Sequence, residues 1–118
     1  MLQITPQHHL FIAINPVDFR AGIDALRAIC ERQWQDDPFS GHLFIFRNRH
    51  STAVKLLIYD GNGFWLCHKR FSSGKLKWWP TTTEQASSVR AVELLIMLQQ
   101  GNPVDVHVPA DWKRLPVQ

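Results

Sequence analysis

The tetrapeptide Asp60-Gly61-Asn62-Gly63 constrains this chain more than any other segment. It separates two apolar runs, Ala53–Tyr59 and Phe64–Arg70, and offers two glycines that accept positive φ. Two such runs joined by a short Asp/Asn/Gly linker predict a tight β-hairpin. A further apolar run, His42–Arg47, precedes the pair, and Lys75–Trp79 follows it after the Ser72-Ser73-Gly74 turn. The block from residue 42 to 80 therefore reads as an antiparallel meander. Leu10–Ala13 adds a short strand, as an edge or as a central partner.

Helical periodicity flanks the meander. Phe19, Ile23, Leu26 and Cys30 fall on one helix face, with Asn15 as N-cap and Pro16 at the first helical position. Arg20/Asp24 and Arg27/Glu31 stand as i,i+4 pairs on the other side. A second helix spans Ser88 to Gln100, apolar nearly all round, with Gly101 as its stop and Pro103 beyond. Residues 33–40 form a loop. The fold class is α+β: one domain over 1–118, an antiparallel β-meander of four to five strands packed against two helices. Its core covers about 10–101. The tail 102–118 alternates Val104, Val106 and Val108 with polar residues, a pattern suited to one more short strand.

Charge is distributed unevenly along the chain. Residues 42–80 hold seven Lys/Arg against one acid, a local charge of +6, while the remainder carries six bases against nine acids, −3. Clustered Lys/Arg on one element is the footprint of a polyanion partner, set against the blander reading of a solvated sheet face. In a meander the turn at Arg47-Asn48-Arg49-His50 and the stretch Lys69-Arg70 to Lys75-x-Lys77-Trp78-Trp79 emerge at one end of the sheet. The candidate DNA-binding residues are therefore Arg47, Arg49, Lys69, Arg70, Lys75, Lys77 and Trp79. Cations on adjacent loops clamp a phosphate backbone without sequence choice. Trp65, Trp78 and Tyr59 offer faces for stacking bases, but Trp65 and Trp78 are read as core and Trp79, beside Pro80, as the surface aromatic.

Catalytic chemistry finds no support in the pattern. The six histidines lack metal-ligand spacing, so no metal and no cofactor are expected. Cys67 and His68 point to opposite faces of one strand and cannot act as a pair. Asp18 and Asp24 are read as helix capping and pairing, Asp37 as the turn before Pro38, and Asp60 as the hairpin. The two cysteines form no CxxC motif, which suits a reducing cytoplasm. The N-terminus lacks signal-peptide features and no apolar run approaches the ~20 residues of a membrane span.

Several stretches together resemble a known family. They are Asp18–Leu26, Asp37-Pro38-Phe39-Ser40-Gly41-His42 with the strand up to Arg47, Lys55–Leu66 with its hairpin, Lys69-Arg70, and Trp79-Pro80. They resemble the second-open-reading-frame (TnpB-type) accessory protein of the insertion-sequence-sixty-six transposons, over about residues 10 to 101. Tyr59 and His68 depart from the family pattern, which has tryptophan and tyrosine there. The resemblance implies a non-catalytic bacterial transposition protein beside a separate transposase, with DNA and that transposase as partners. It carries Arg47, Lys69 and Arg70 into the binding role. The alternative is a protein–protein adaptor or homodimer that docks the transposase through its apolar C-terminal helix, without DNA binding of its own.

Overall fold

Four strands form one sheet in the order β1 (Leu10–Ile12), β2 (Leu43–Arg47), β3 (Ala53–Tyr59) and β4 (Phe64–Arg70). The structure is a computed structural model that describes residues 10–34, 42–81 and 90–103. Pairs β2/β3 and β3/β4 are antiparallel, with Leu43 opposite Ile58 and Ala53 opposite Arg70. The hairpin forms where expected. Asp60 N–H donates to the Gly63 carbonyl at 3.0 Å, and of the two glycines Gly61 alone takes positive φ, at 96°.

The sheet is mixed, not a pure meander. β1 runs parallel to β2, with Leu10 opposite Leu43. The intervening helix α1 (Ile23–Trp34) carries the chain across the sheet, and such a crossover returns a strand parallel to its neighbour. A strand of three residues carries no signal of its own direction. The last predicted strand, Lys75–Trp79, is irregular. Trp78 and Trp79, adjacent in sequence, both pack against the same core cluster, whereas strand neighbours alternate between faces.

Register assigns the faces. Leu43, Ile45, Leu56, Ile58 and Cys67 meet Ala91, Leu94 and Met97 of the second helix, α2 (Ala91–Leu98). On the opposite face Phe44, Phe46, Leu57 and Leu66 meet Leu26 and Cys30 of α1. The fold is a three-layer α/sheet/α sandwich, which explains why β2 and β3 read as continuous apolar runs. Fully burying a Leu or Phe contributes about 2 kcal/mol, against a few tenths for an exposed helical ion pair. Core burial therefore decides where α1 sits. The pairs Arg27–Glu31 (3.6 Å) and Arg27–Asp24 (3.7 Å) decorate it.

Helix ends depart from expectation in two places. α1 begins at Ile23, with the Gly22 carbonyl accepting the first helical bond, and not at Asn15-Pro16. Val17 N–H donates to the Arg47 carbonyl at 3.0 Å, so residues 13–17 follow β2 instead of coiling. Arg20 pairs with Asp18 and not Asp24. At the end of α2 the left-handed residue is Gln100 (φ 61°), one before Gly101. Glycine is needed at 101 for close approach, since a Cβ there would lie 2.7 Å from Ile96 Cγ2 and 3.0 Å from the Ile96 carbonyl oxygen. The tail strand, the Asp37 turn and the helical start at Ser88 lie outside the described residues.

Candidate nucleic-acid interface

Two loops meet at one end of the sheet, and backbone hydrogen bonds join them. Phe71 N–H donates to the Thr52 carbonyl (3.0 Å) and Leu76 N–H to the Ser51 carbonyl (2.9 Å). The turn between β2 and β3 is braced by Asn48, whose Oδ1 accepts from Thr52 N–H (2.8 Å) and Ala53 N–H (3.1 Å). Ser51 holds a positive φ of 58° inside that turn. On the other loop Gly74 sits at φ 73°, and the Gln100 side-chain amide donates to the carbonyls of Ser73 (2.8 Å) and Lys75 (3.2 Å). Neutral groups build this platform.

The seven candidate residues divide on it. Arg49, Arg70, Lys75 and Lys77 are exposed, and their side chains make no hydrogen bond or ion pair among the described residues. Lys69 is exposed too, but its Nζ donates to the Leu98 carbonyl at 2.6 Å. It supplies the cation that the last turn of α2 lacks in its own sequence. Register puts Lys69 on the α2 face and Arg70 on the α1 face, so adjacent residues straddle the sheet. Arg47 is half-buried: its guanidinium donates to the Ile14 carbonyl and Ser51 Oγ, both at 3.1 Å, and lies 5.4 Å from the Trp79 ring centroid. Burial pushes its pKa down. Trp79, expected at the surface, is half-buried and donates Nε1–H to the Ala13 carbonyl at 2.9 Å.

Lys55 is the residue that charge counting misjudges. Only 7% exposed, it faces α1 and donates from Nζ to the carbonyls of Phe19 and Ala21, both at 2.9 Å. The ammonium also lies 4.9 Å from the Phe19 ring centroid. It satisfies the irregular backbone leading into α1. Its setting within Ala53-Val54-Lys55-Leu56-Leu57 is the available signal, since a lone lysine in an apolar run needs a buried acceptor.

The aromatic residues considered for stacking lie elsewhere. Tyr59 and Trp65 stand at the hairpin end of β3 and β4, remote along the strands from Arg70. Trp65 is 50% exposed and not core, because among the described residues β4 is an edge strand with a sheet neighbour on one side only. Its Nε1–H donates to Asp60 Oδ2 at 2.7 Å. The Asp60 carboxyl is held below its usual pKa by the Asn62 and Gly63 backbone N–H groups, then by that indole. Trp78 is half-buried against the α2-side core.

Beside Arg49 opens a cleft of about 410 Å³ lined by Pro16, Val17, Asp18, Phe19, Asn48, Arg49 and His50. Arg20 donates to Asp18 through its side chain (2.7 Å from Nη2) and its backbone N–H (2.9 Å), lowering the carboxyl to about 2. Asp18 thus stays ionised near neutrality and cannot donate a proton there as a general acid. No group of three His, Cys, Asp or Glu suited to a metal occurs among the described residues. Nor does any described helix have the length and apolarity to cross a membrane.

The architecture defines a small three-layer α+β domain with a cationic sheet end. Residues 8–107 match the IS66 Orf2-like proteins, and the chain belongs to that family. Two uncharacterised proteins of Sinorhizobium fredii are similar: y4jC, 35% identical over 66 residues, and y4hO, 29% identical over 89 residues. The first match covers 56% of each chain, the second 75% of this chain and 76% of y4hO. No solved structure matches.

Proposed function

We propose that this chain is a non-catalytic accessory protein of bacterial transposition that grips the phosphate backbone of DNA beside a separate transposase. Arg49, Lys69, Arg70, Lys75 and Lys77 touch the phosphates; Arg47 and Trp79 support the turn that carries them. The observation behind this reading is the set of four exposed, unpaired cations gathered where Ser51 and Leu76 join. Leaving so many cations without acids at one sheet end lowers no folding free energy, whereas a polyanion recruits them through counterion release. The remoteness of Trp65 and Tyr59 favours backbone binding over base stacking.

Fluorescence anisotropy with duplex and single-stranded DNA across a salt series tests the proposal. Binding should weaken with salt, and Lys75→Ala/Lys77→Ala should reduce the log–log slope by about 0.9 for each phosphate no longer neutralised. Absence of binding at low salt would sink it. A second reading, docking of the transposase through α2, draws on Leu95, 41% exposed on a helix whose Leu94 and Met97 are buried. Pull-down of the transposase that disappears in Leu95→Asp, with DNA binding absent, would select that reading.

A further inference from the structure

We propose that two copies of this chain join through the outer edge of β4, antiparallel about Cys67, so that the two sheets become one. β4 ends the sheet, and among the described residues nothing pairs with its outer side. The inward bonds at Gly63 and Phe71 fix the phase of the ladder. The main-chain groups of Leu66, His68 and Arg70 therefore face away from β3.

The strand is complementary to itself when reversed. Its first residues are aromatic, Phe64 and Trp65; its last are basic, Lys69 and Arg70; it carries no acid. Pairing about Cys67 sets Trp65 opposite the partner's Lys69, Phe64 opposite the partner's Arg70, and Leu66 opposite the partner's His68. Each cation then meets an aromatic ring, a favourable cross-strand combination. Lys69 and the partner's Lys69 stand four positions apart along the seam, about 14 Å, beyond the screening length of about 8 Å in physiological salt. Charges on an edge strand usually deter pairing. Here they lie at one end only, so the reversed copy presents rings and not like charge. The ladder phase agrees as well: Leu66/His68 become hydrogen-bonded pairs, and Cys67 faces its own copy at a non-bonded position. The Trp65 ring is already fixed by Asp60.

Cys67 supplies the test. At a non-bonded pair the Cα atoms are about 4.5 Å apart, within disulfide reach, while Cys30 is buried. The full chain should sediment at twice its monomer mass at concentrations of about 10–100 µM. Mild oxidation with diamide should trap a covalent dimer whose linked peptides map to Cys67 on both copies. His68→Pro removes an N–H that the monomer's ladder does not use and should restore the monomer and abolish the cross-link. A monomer across that concentration range overturns the proposal. So does a dimer without the Cys67 linkage, or one that persists in folded His68→Pro. Should circular dichroism show that His68→Pro does not fold, Cys67 mapping on the wild-type chain decides alone.

Discussion

The two ends of the β3–β4 pair solve the same problem with different groups. At the Asp60–Gly63 end an ionised carboxylate accepts from two backbone N–H groups and an indole, and the charge is absorbed within the turn. At the Ser51/Leu76 end the loops are joined by backbone carbonyls and by the neutral side chains of Asn48 and Gln100. No cation is needed to hold that end together, apart from Arg47 beneath it. Charge that a turn consumes is denied to a partner; charge left out of the hydrogen-bonding scheme remains available.

The largest effect should come from removing the available charge. Replacing Arg49, Arg70, Lys75 and Lys77 together with alanine is expected to weaken DNA binding at low salt on the order of a hundredfold, with thermal stability nearly unchanged. Anisotropy and a melting curve on one preparation check both halves. A large fall in Tm would mean that these residues hold the fold. Lys55→Met should do the reverse. It leaves the Phe19 and Ala21 carbonyls without their donor and should cost about 2–3 kcal/mol, read by urea unfolding, while the salt slope of DNA binding stays the same. A changed slope with intact stability would place Lys55 among the groups that touch DNA.

Much of this architecture is legible because strands β2 to β4 announce themselves as apolar runs around a glycine turn. The shared end of the two basic loops also follows, since alternate connections of antiparallel strands return to one side whatever β1 does. What escapes a sequence reading depends on groups distant along the chain. The Asn15-Pro16 helix start fails because Arg47, some thirty residues away, takes the Val17 N–H. Trp78-Trp79 looks like strand, yet Gln100 and Ser51 satisfy the backbone before it and both rings turn to one core. Lys55 and Arg47 count as surface charge in composition, which cannot show that carbonyls at Phe19, Ala21 and Ile14 await them. Charge counting points to the sheet end where the exposed cations gather and overstates how many of them are available there.

A smaller effect is expected at the opposite end. Asp60→Ala should speed amide exchange at Asn62 and Gly63 and release the Trp65 indole, seen as altered tryptophan fluorescence. DNA affinity should rise slightly or stay level, since a remote negative charge disappears. Loss of binding would mean that the hairpin end takes part in recognition, and the contrast between the two ends would fail.

The smallest effect concerns Asp18, which shares the cleft with Arg49 yet does not pair with it, because Arg20 engages the carboxylate from side chain and backbone. Its pKa falls from 3.8 to about 2. The sign follows directly: between those values the unfolded chain binds the proton that the folded chain refuses, so this contribution is complete above pH 3.8 and disappears as pH falls toward 2. Being solvent-exposed, it is screened and should shrink further in salt. An NMR titration should place the Asp18 midpoint near 2, and Arg20→Gln should return it toward 3.8. The same substitution carries a second consequence at neutral pH. Freed from Arg20, the Asp18 carboxylate is left to attract Arg49 across the cleft that both line, and DNA binding should weaken by more than removal of another exposed cation such as Arg32 produces. Equal effects of Arg20→Gln and Arg32→Gln would show that Arg49 does not depend on how Asp18 is occupied.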